Sequence, residues 1–484
     1  MDISCMKSVK LPSAKLILLL LIAALHCTHS FGQLGREHIN VILDPPGTYQ
    51  SALADFDNDG DLDLLGSRWG GNGHLVYFEM LDDQLTFAQE RIFGDTSWWG
   101  LPQVSTQFAV ADMDNDGDLD IVCEAEVASA FPFWVNDGSA NFTRPDGEPS
   151  SPAANVTFRL GDFNQDGWQD VFFYQPGERQ IAFNWNNGVG GAFTYQELPE
   201  IELPSHLGMK DILILDFDND GDLDIALLYD RTVSNGKSFY LSILEQSCAT
   251  CFELGPELEI TSADDRFNAV ETAVADFNQD GWLDISVSYS TYYDGNTSRT
   301  NTLAFLENQL GSGTFSVATY LPSYADHAPA DIDQDGRIDL YALHDDDLVN
   351  NPSGDDIYAK HLLRNTGGFS FEVVPIDQIS TGFSIAAGDI DQDGLIDLVA
   401  TGENSSQAQY WWNRLENASG QWTAPSVLNE RPDFMSDFAL TDWDTDGDLD
   451  LISTTNNYVA DSVADALYWF ENADGLGNFA YPES

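Results

Sequence analysis

A nine-residue pattern of oxygen-bearing side chains recurs eight times along the 484 residues. It reads DFDNDGDLD from Asp55, DMDNDGDLD from Asp112, DFNQDGWQD from Asp162, DFDNDGDLD from Asp216, DFNQDGWLD from Asp276, DIDQDGRID from Asp331, DIDQDGLID from Asp389 and DWDTDGDLD from Asp442. Carboxylates or carboxamides stand at positions one, three, five and nine, with glycine at six. Alternate spacing turns such groups toward one point once the chain curls, and glycine permits the curl. A flexible, all-oxygen, carboxylate-rich set suits calcium rather than zinc or copper, and its ligand number favours calcium over magnesium.

The candidate ligands are therefore Asp55, Asp57, Asp59, Asp61 and Asp63 in the first loop, and Asp112, Asp114, Asp116, Asp118 and Asp120 in the second. The third supplies Asp162, Asn164, Asp166, Trp168 and Asp170, and the fourth Asp216, Asp218, Asp220, Asp222 and Asp224. The fifth supplies Asp276, Asn278, Asp280, Trp282 and Asp284, and the sixth Asp331, Asp333, Asp335, Arg337 and Asp339. Asp389, Asp391, Asp393, Leu395 and Asp397 form the seventh set, and Asp442, Asp444, Asp446, Asp448 and Asp450 the eighth. Position seven varies from Asp to Trp, Arg and Leu, so the donor expected there is the backbone carbonyl. About eight calcium ions would be held. Clustered carboxylates repel one another without metal, so calcium binding is expected to be coupled to folding. Asn164 and Asn278 remove one charge each, which makes the third and fifth loops the expected weak sites.

Acidic side chains number 80 against 19 basic, a net charge of −61. Such a surface repels nucleic acid and anionic lipid, so neither is an expected partner. Hydrophobic residues make up 43% of the chain and aromatics 12%, which is ample for a packed core and excludes a disordered acidic polymer.

The elements that must carry the loops repeat with them. A short alternating strand such as SALADFD precedes each loop, and a β-branched or leucine-rich strand such as LDIVCE follows. A third strand ends in an Asn/Gly turn closed by an aromatic, as in FWVNDGSANF and FLENQLGSGTF, and a more polar fourth strand comes next. Four short strands per repeat, a fixed spacing and no helical periodicity are the content of propeller blades. Apolar residues at position two (Phe56, Met113, Phe163, Phe217, Phe277, Ile332, Ile390, Trp443) and position ten are expected to pin each loop to the core. The strand-like HINVIL before the first loop is expected to complete the last repeat. The expected fold is thus an all-β, eight-bladed β-propeller over residues 33–484, closed by its N-terminal strand. Seven blades plus an irregular repeat is the alternative.

At the N-terminus Lys7, Lys10 and Lys15 precede the apolar run LILLLLIAAL. Ten apolar residues behind positive charge form a secretory signal, assigned to residues 1–32, and are too few to cross a bilayer. Export to the cell surface or medium follows. No later segment is apolar enough to span a membrane. In an exported chain Cys248 and Cys251 are expected to form a short structural disulfide, while Cys123 is expected to act as a small buried hydrophobe.

The eight nonapeptides, each followed by an Asn/Gly turn and an aromatic, resemble the FG-GAP/VCBS repeat family over residues 38–484. Members include the propellers of integrin α subunits and many exported bacterial proteins. The resemblance implies a propeller with calcium in hairpin loops on one face. The literal FG and GAP segments are missing, and there are eight copies where the integrin propeller has seven, so an integrin-type partner site does not carry over.

If the acidic loops join first and second strands, they share one face and the other is left for recognition. Distinctive segments there are SRWGGNGH with Arg68, Trp69 and His74, GDTSWWG with Trp98 and Trp99, and YSTYYDGNTSR with Tyr292, Tyr293 and Arg299. A fourth is the acidic stretch from His344 to Asp356. Aromatics beside Arg and Asn can stack on and hydrogen-bond to sugars, or can simply pack between blades. The sequence holds no helix-borne metalloprotease motif, nucleophile elbow, phosphate loop or paired-cysteine zinc motif. His74, His206, His327, His344 and His361 have no evident partner. The expected function is a non-catalytic binding or adhesion module for a glycan or protein ligand. The alternatives are a polysaccharide lyase, with a Tyr, His, Lys or Arg cluster over the channel, and a scaffold in an envelope complex.

Overall fold

The strands on either side of each acidic nonapeptide pair with one another across it, and this unit repeats along the chain. The computed structural model describes residues 48–476, apart from 60–62, 69–73, 80–90, 94–103, 126–132, 146–155, 346–357, 380–384, 443–446, 456–466 and several shorter stretches. In the first unit Thr48–Ala54 pairs antiparallel with Asp63–Arg68, which pairs with His74–Phe78 and that with Arg91–Phe93. With this one, eight such antiparallel sheets run in chain order among the described residues, spanning 48–93, 104–134, 157–197, 207–263, 266–322, 324–379, 385–431 and 435–470. Five have four strands in simple meander order. The fourth sheet gains a fifth strand, Leu258–Ala263, and the second and eighth show three described strands each.

Each sheet's first strand lies against the first strand of the next, from Thr48–Ala54 through to Met435–Thr441. First strands inside and later strands fanning outward is the arrangement of propeller blades. The molecule is all-β, and the described residues contain no helix. Among the described residues no helix is long and apolar enough to cross a membrane. The segment HINVIL and the N-terminal signal lie outside the described residues.

The core lies between facing sheets. Phe163, Phe172, Phe183 and Tyr174 of the third sheet pack against Ile225, Leu227 and Tyr229 of the fourth, and Phe217, Ala226 and Leu228 pack against Ile285 and Val287 of the fifth. Phe56, Met113, Phe163, Phe217, Phe277, Ile332 and Ile390 at loop position two are all buried, as are the described residues at position ten. Each contributes roughly 2 kcal/mol of apolar burial, which anchors a charged loop at both ends. Cys248 and Cys251 are bonded across a hairpin turn of the fourth sheet, and Cys123 is buried within the second.

Candidate metal centres

Each nonapeptide joins the first strand of a sheet to its second, so the loops stand at the same end of every sheet. Glycine at position six has φ between 86° and 103° in Gly117, Gly167, Gly221, Gly281, Gly336, Gly394 and Gly447, a backbone that side chains resist. Position one then caps the curl. Asp276 accepts the N–H of Asp280 on Oδ1 (3.1 Å) and of Gly281 on Oδ2 (2.9 Å), and Asp112, Asp162 and Asp216 repeat this.

The curl brings the predicted ligands together. One oxygen each of Asp112, Asp114 and Asp120 lies within 4.8 Å of the others, and the same holds for Asp216, Asp218 and Asp224, and for Asp331, Asp333 and Asp339. In the first and seventh loops the groups are Asp55, Asp57, Asp59 and Asp389, Asp391, Asp393. Asp116, Asp220 and Asp335 at position five stand outside their groups. Asp61, Asp444 and Asp446 lie outside the described residues.

The donor set fits a cation. Oδ1 of Asp114, Asp331, Asp333 and Asp389 and Oδ2 of Asp170 are buried and accept no hydrogen bond among the described residues, a costly condition without a positive partner. Burial pushes the carboxyls of Asp120, Asp170 and Asp284 up to about 7, and those of Asp224 and Asp339 to about 6. A cation beside them would restore the charged form.

Position nine has a second task that the spacing does not announce. Asp63, Asp120, Asp170, Asp224, Asp284, Asp339, Asp397 and Asp450 are at most 1% exposed. Oδ2 of Asp284 accepts the N–H of Phe277 (3.1 Å) at position two, and Oδ1 accepts the N–H of Asn308 (2.9 Å) on the third strand. The Asn308 amide in turn donates to the carbonyl of Phe217 in the preceding sheet (2.8 Å). Asn136, Asn186, Gln246, Asn365 and Asn472 make the equivalent bond, to Phe56, Met113, Phe163, Phe277 and Ile390. The signal was present in the sequence, as an amide recurring after the third strand.

Position four has a task of its own that the spacing does not announce. Asn58, Asn115, Gln165, Asn219, Gln279, Gln334 and Gln392 all have positive φ. Their side chains reach the next loop. Asn115, Gln165, Asn219, Gln279 and Gln392 donate to the carbonyls of Gly167 (2.7 Å), Gly221 (2.8 Å), Gly281 (3.5 Å), Gly336 (2.8 Å) and Gly447 (3.2 Å), and Gln334 donates to that of Gly394. Asn58 donates to Asp118 Oδ1 (2.7 Å).

At position seven three side chains lean onto the turn after the third strand. Trp168 and Trp282 cover Gly188 and Gly311, where an added Cβ would lie 2.3 and 2.2 Å from the indoles. Asp118 sits on Gly138 in the same manner. The variability of this position thus has a packing reason.

The third strand adds charge beside some loops. Glu307 accepts from Asn278 Nδ2 (3.3 Å), so the fifth loop regains a carboxylate that its Asn had removed. The third has Trp185 at the matching position and remains the less charged of the two.

At the other end of the sheets, Tyr324, His344 and His361 of the sixth sheet form a cluster. Tyr324 Oη and His361 Nδ1 are 3.0 Å apart, and the two imidazoles stack at 4.8 Å. His327 is buried against Ser286 (2.7 Å). These three histidines have the partners that the sequence did not reveal, because the partners come from neighbouring strands or sheets. Trp69, Trp98, Trp99, His206 and residues 346–356 lie outside the described residues, as do the side chains of Arg68, His74, Tyr292, Tyr293 and Arg299.

The profile of the FG-GAP-like repeat matches residues 55–123, 162–227, 276–342 and 389–453, together more than half of the chain. No curated protein matches in sequence. Among solved structures, the chain is similar to an Agrocybe aegerita lectin that recognises non-reducing terminal N-acetylglucosamine, at 17% identity, covering 69% of this chain and 81% of the lectin, with a TM-score of 0.40. It is similar to the Dos1 propeller at 11% identity over 84% and 89% of the two chains (TM-score 0.46). The third is the six-bladed, fucose-recognising Aleuria aurantia lectin, at 11% identity over 65% and 91% (TM-score 0.29).

Proposed function

Since the chain belongs to the FG-GAP-like repeat family, we propose that it is an exported, calcium-loaded, eight-bladed propeller, closed by its N-terminal strand. It acts as a non-catalytic binding module. The observation that carries this reading is the convergence of acidic oxygens in five loops at one end of the sheets, with buried oxygens there that accept no hydrogen bond. Positions one, three, five and nine would hold the ion through their side chains and position seven through its carbonyl. Metal on one end supports the fold and leaves the unequal loops of the other end for a glycan or cell-surface protein.

Excess chelator is expected to lower the melting temperature by well over 10 °C and re-added calcium to restore it, since ligand release is linked to unfolding. An unchanged melting curve would overturn the metal assignment. A glycan array run in calcium tests the recognition face, with selective binding expected.

The Tyr324, His344 and His361 cluster favours a second reading, a polysaccharide lyase, in which an imidazole abstracts a proton beside a uronate carboxylate and the phenol protonates the leaving oxygen. Ultraviolet detection of unsaturated uronate products, lost in His361→Ala, would support that reading and sink the non-catalytic one.

A further inference from the structure

The eight loops are not equivalent in the charge that faces them, and the sixth departs furthest. By register, the third-strand residue that follows the partner of loop position ten is Glu79, Glu245, Glu307 and Glu471 in the first, fourth, fifth and eighth sheets, and Val135 and Trp185 in the second and third. In the sixth sheet it is Arg364. The matching residue of the seventh sheet, Arg414, lies outside the described residues. Glu307 shows where this position points, since it touches the position-three side chain of its own loop. Arg364 points the same way. Its Nε lies 3.3 Å from Oδ2 of Asp333, the position-three carboxylate, with Arg364 22% and Asp333 13% exposed.

A second guanidinium joins it. Arg337, at position seven of the same loop, pairs through Nη2 with Asp335 at position five and donates from Nε to the carbonyl of Asn365 (2.7 Å). Two of the four loop carboxylates, Asp333 and Asp335, are therefore each paired with a guanidinium, and Arg364 also reaches Glu372 on the fourth strand (3.6 Å). Among the described residues, the second to fifth loops have no Lys or Arg paired with their carboxylates. A charge of opposite sign held within a few ångströms does part of what a bound ion does, relieving repulsion among carboxylates, and it lowers the electrostatic gain of binding one. Arginine suits this role because its charge is permanent and its planar fork spans neighbouring oxygens.

We propose that the sixth loop carries its own cation: Arg364 on Asp333, with Arg337 on Asp335, keeps it folded without metal and makes it a weak calcium site, the last of the described loops to fill. The inference rests on the reading that the other loops bind calcium. It displaces Asn164 and Asn278 as the markers of the weakest sites, because losing one carboxylate weakens a site less than adding two guanidinium groups.

The test is equilibrium dialysis of the full chain with radioactive calcium at graded free concentrations, counting ions held per chain. Asp333→Asn should leave the count at low free calcium unchanged, whereas Asp114→Asn should reduce it by one. Arg364→Glu, which gives the sixth sheet the residue of four others, should add one ion and tighten that site about tenfold or more. Loss of an ion in Asp333→Asn at low free calcium, or no gain in Arg364→Glu, would overturn the inference; the first of these does not depend on the charge-swapped variant folding. A wild-type chain that holds no calcium would overturn the parent reading as well, and would be recognised because Asp114→Asn then changes nothing.

Discussion

Asp284 is fully buried and accepts hydrogen bonds from the backbone N–H groups of Phe277 and Asn308, so its removal strands two donors whether or not a cation is near. Asp280, four residues earlier in the same loop, is exposed and accepts two exposed donors, the N–H of Trp282 on Oδ1 and the Asn278 amide on Oδ2 (3.0 Å). The two carboxylates look alike in the nonapeptide, yet their burial predicts different behaviour. Asp284→Ala should destabilise by about 3 kcal/mol even in excess chelator, since each orphaned buried donor costs about 1 to 3 kcal/mol. Asp280→Ala should be nearly neutral in chelator, within about 0.5 kcal/mol, and should lose stability only relative to the calcium-loaded protein. Urea unfolding of both variants with and without calcium checks this. Equal losses in chelator would show that position nine has no task beyond the metal. The spacing made legible that acidic groups would gather in each loop, but a repeat of identical letters does not disclose which carboxylate the strands will bury.

At the scale of the blade, the meander and its register were legible because strand periodicity, turn residues and loop spacing agreed in nearly every copy. The cross-sheet bonds were not, because they join residues 73 to 91 positions apart, from Asn186 to Met113 up to Asn308 to Phe217. Asn308 also donates to the carbonyl of Leu283 (3.2 Å), so one amide ties its own loop and the preceding sheet together. Asn308→Ala leaves both carbonyls with one donor fewer in a buried place and should lower stability by about 2 kcal/mol. Asn308→Asp should do worse, since a carboxylate would then face two carbonyl oxygens. The turn that follows is constrained by Trp282, which covers Gly311 at φ 66°. Gly311→Ala should therefore destabilise by steric overlap as well as backbone strain, by about 2 kcal/mol. Trp282→Ala made in the same chain should recover part of that loss. Strictly additive losses in a double-mutant cycle would show that the indole and the glycine do not meet.

Across the whole molecule, the position-four amides connect the acidic loops in series, each reaching from one sheet to the next, from Asn58 of the first loop to Gln392 of the seventh. The donors lie between ligand positions three and five of their own loop; from the second loop on the acceptor is the position-six carbonyl of the next, and for Asn58 it is the position-seven carboxylate of Asp118. A loop that opens therefore loosens the entry side of its neighbour, and the loops should lose calcium as a group rather than independently. The eighth copy breaks the series, because position four there is Thr445, a side chain without an amide. In a closed ring of eight blades this gap falls between the eighth loop and the first, the seam where the two chain ends meet. Thr445→Asn supplies the missing donor. If the ring is closed, one more hydrogen bond across the seam should stabilise the calcium-loaded protein by about 1 kcal/mol, read as a rise in melting temperature. Gln279→Ala, inside the series, should cost a similar amount and reduce the cooperativity of calcium uptake. No gain in Thr445→Asn beside a clear loss in Gln279→Ala would mean that the eighth loop does not neighbour the first, and would count against closure of the ring.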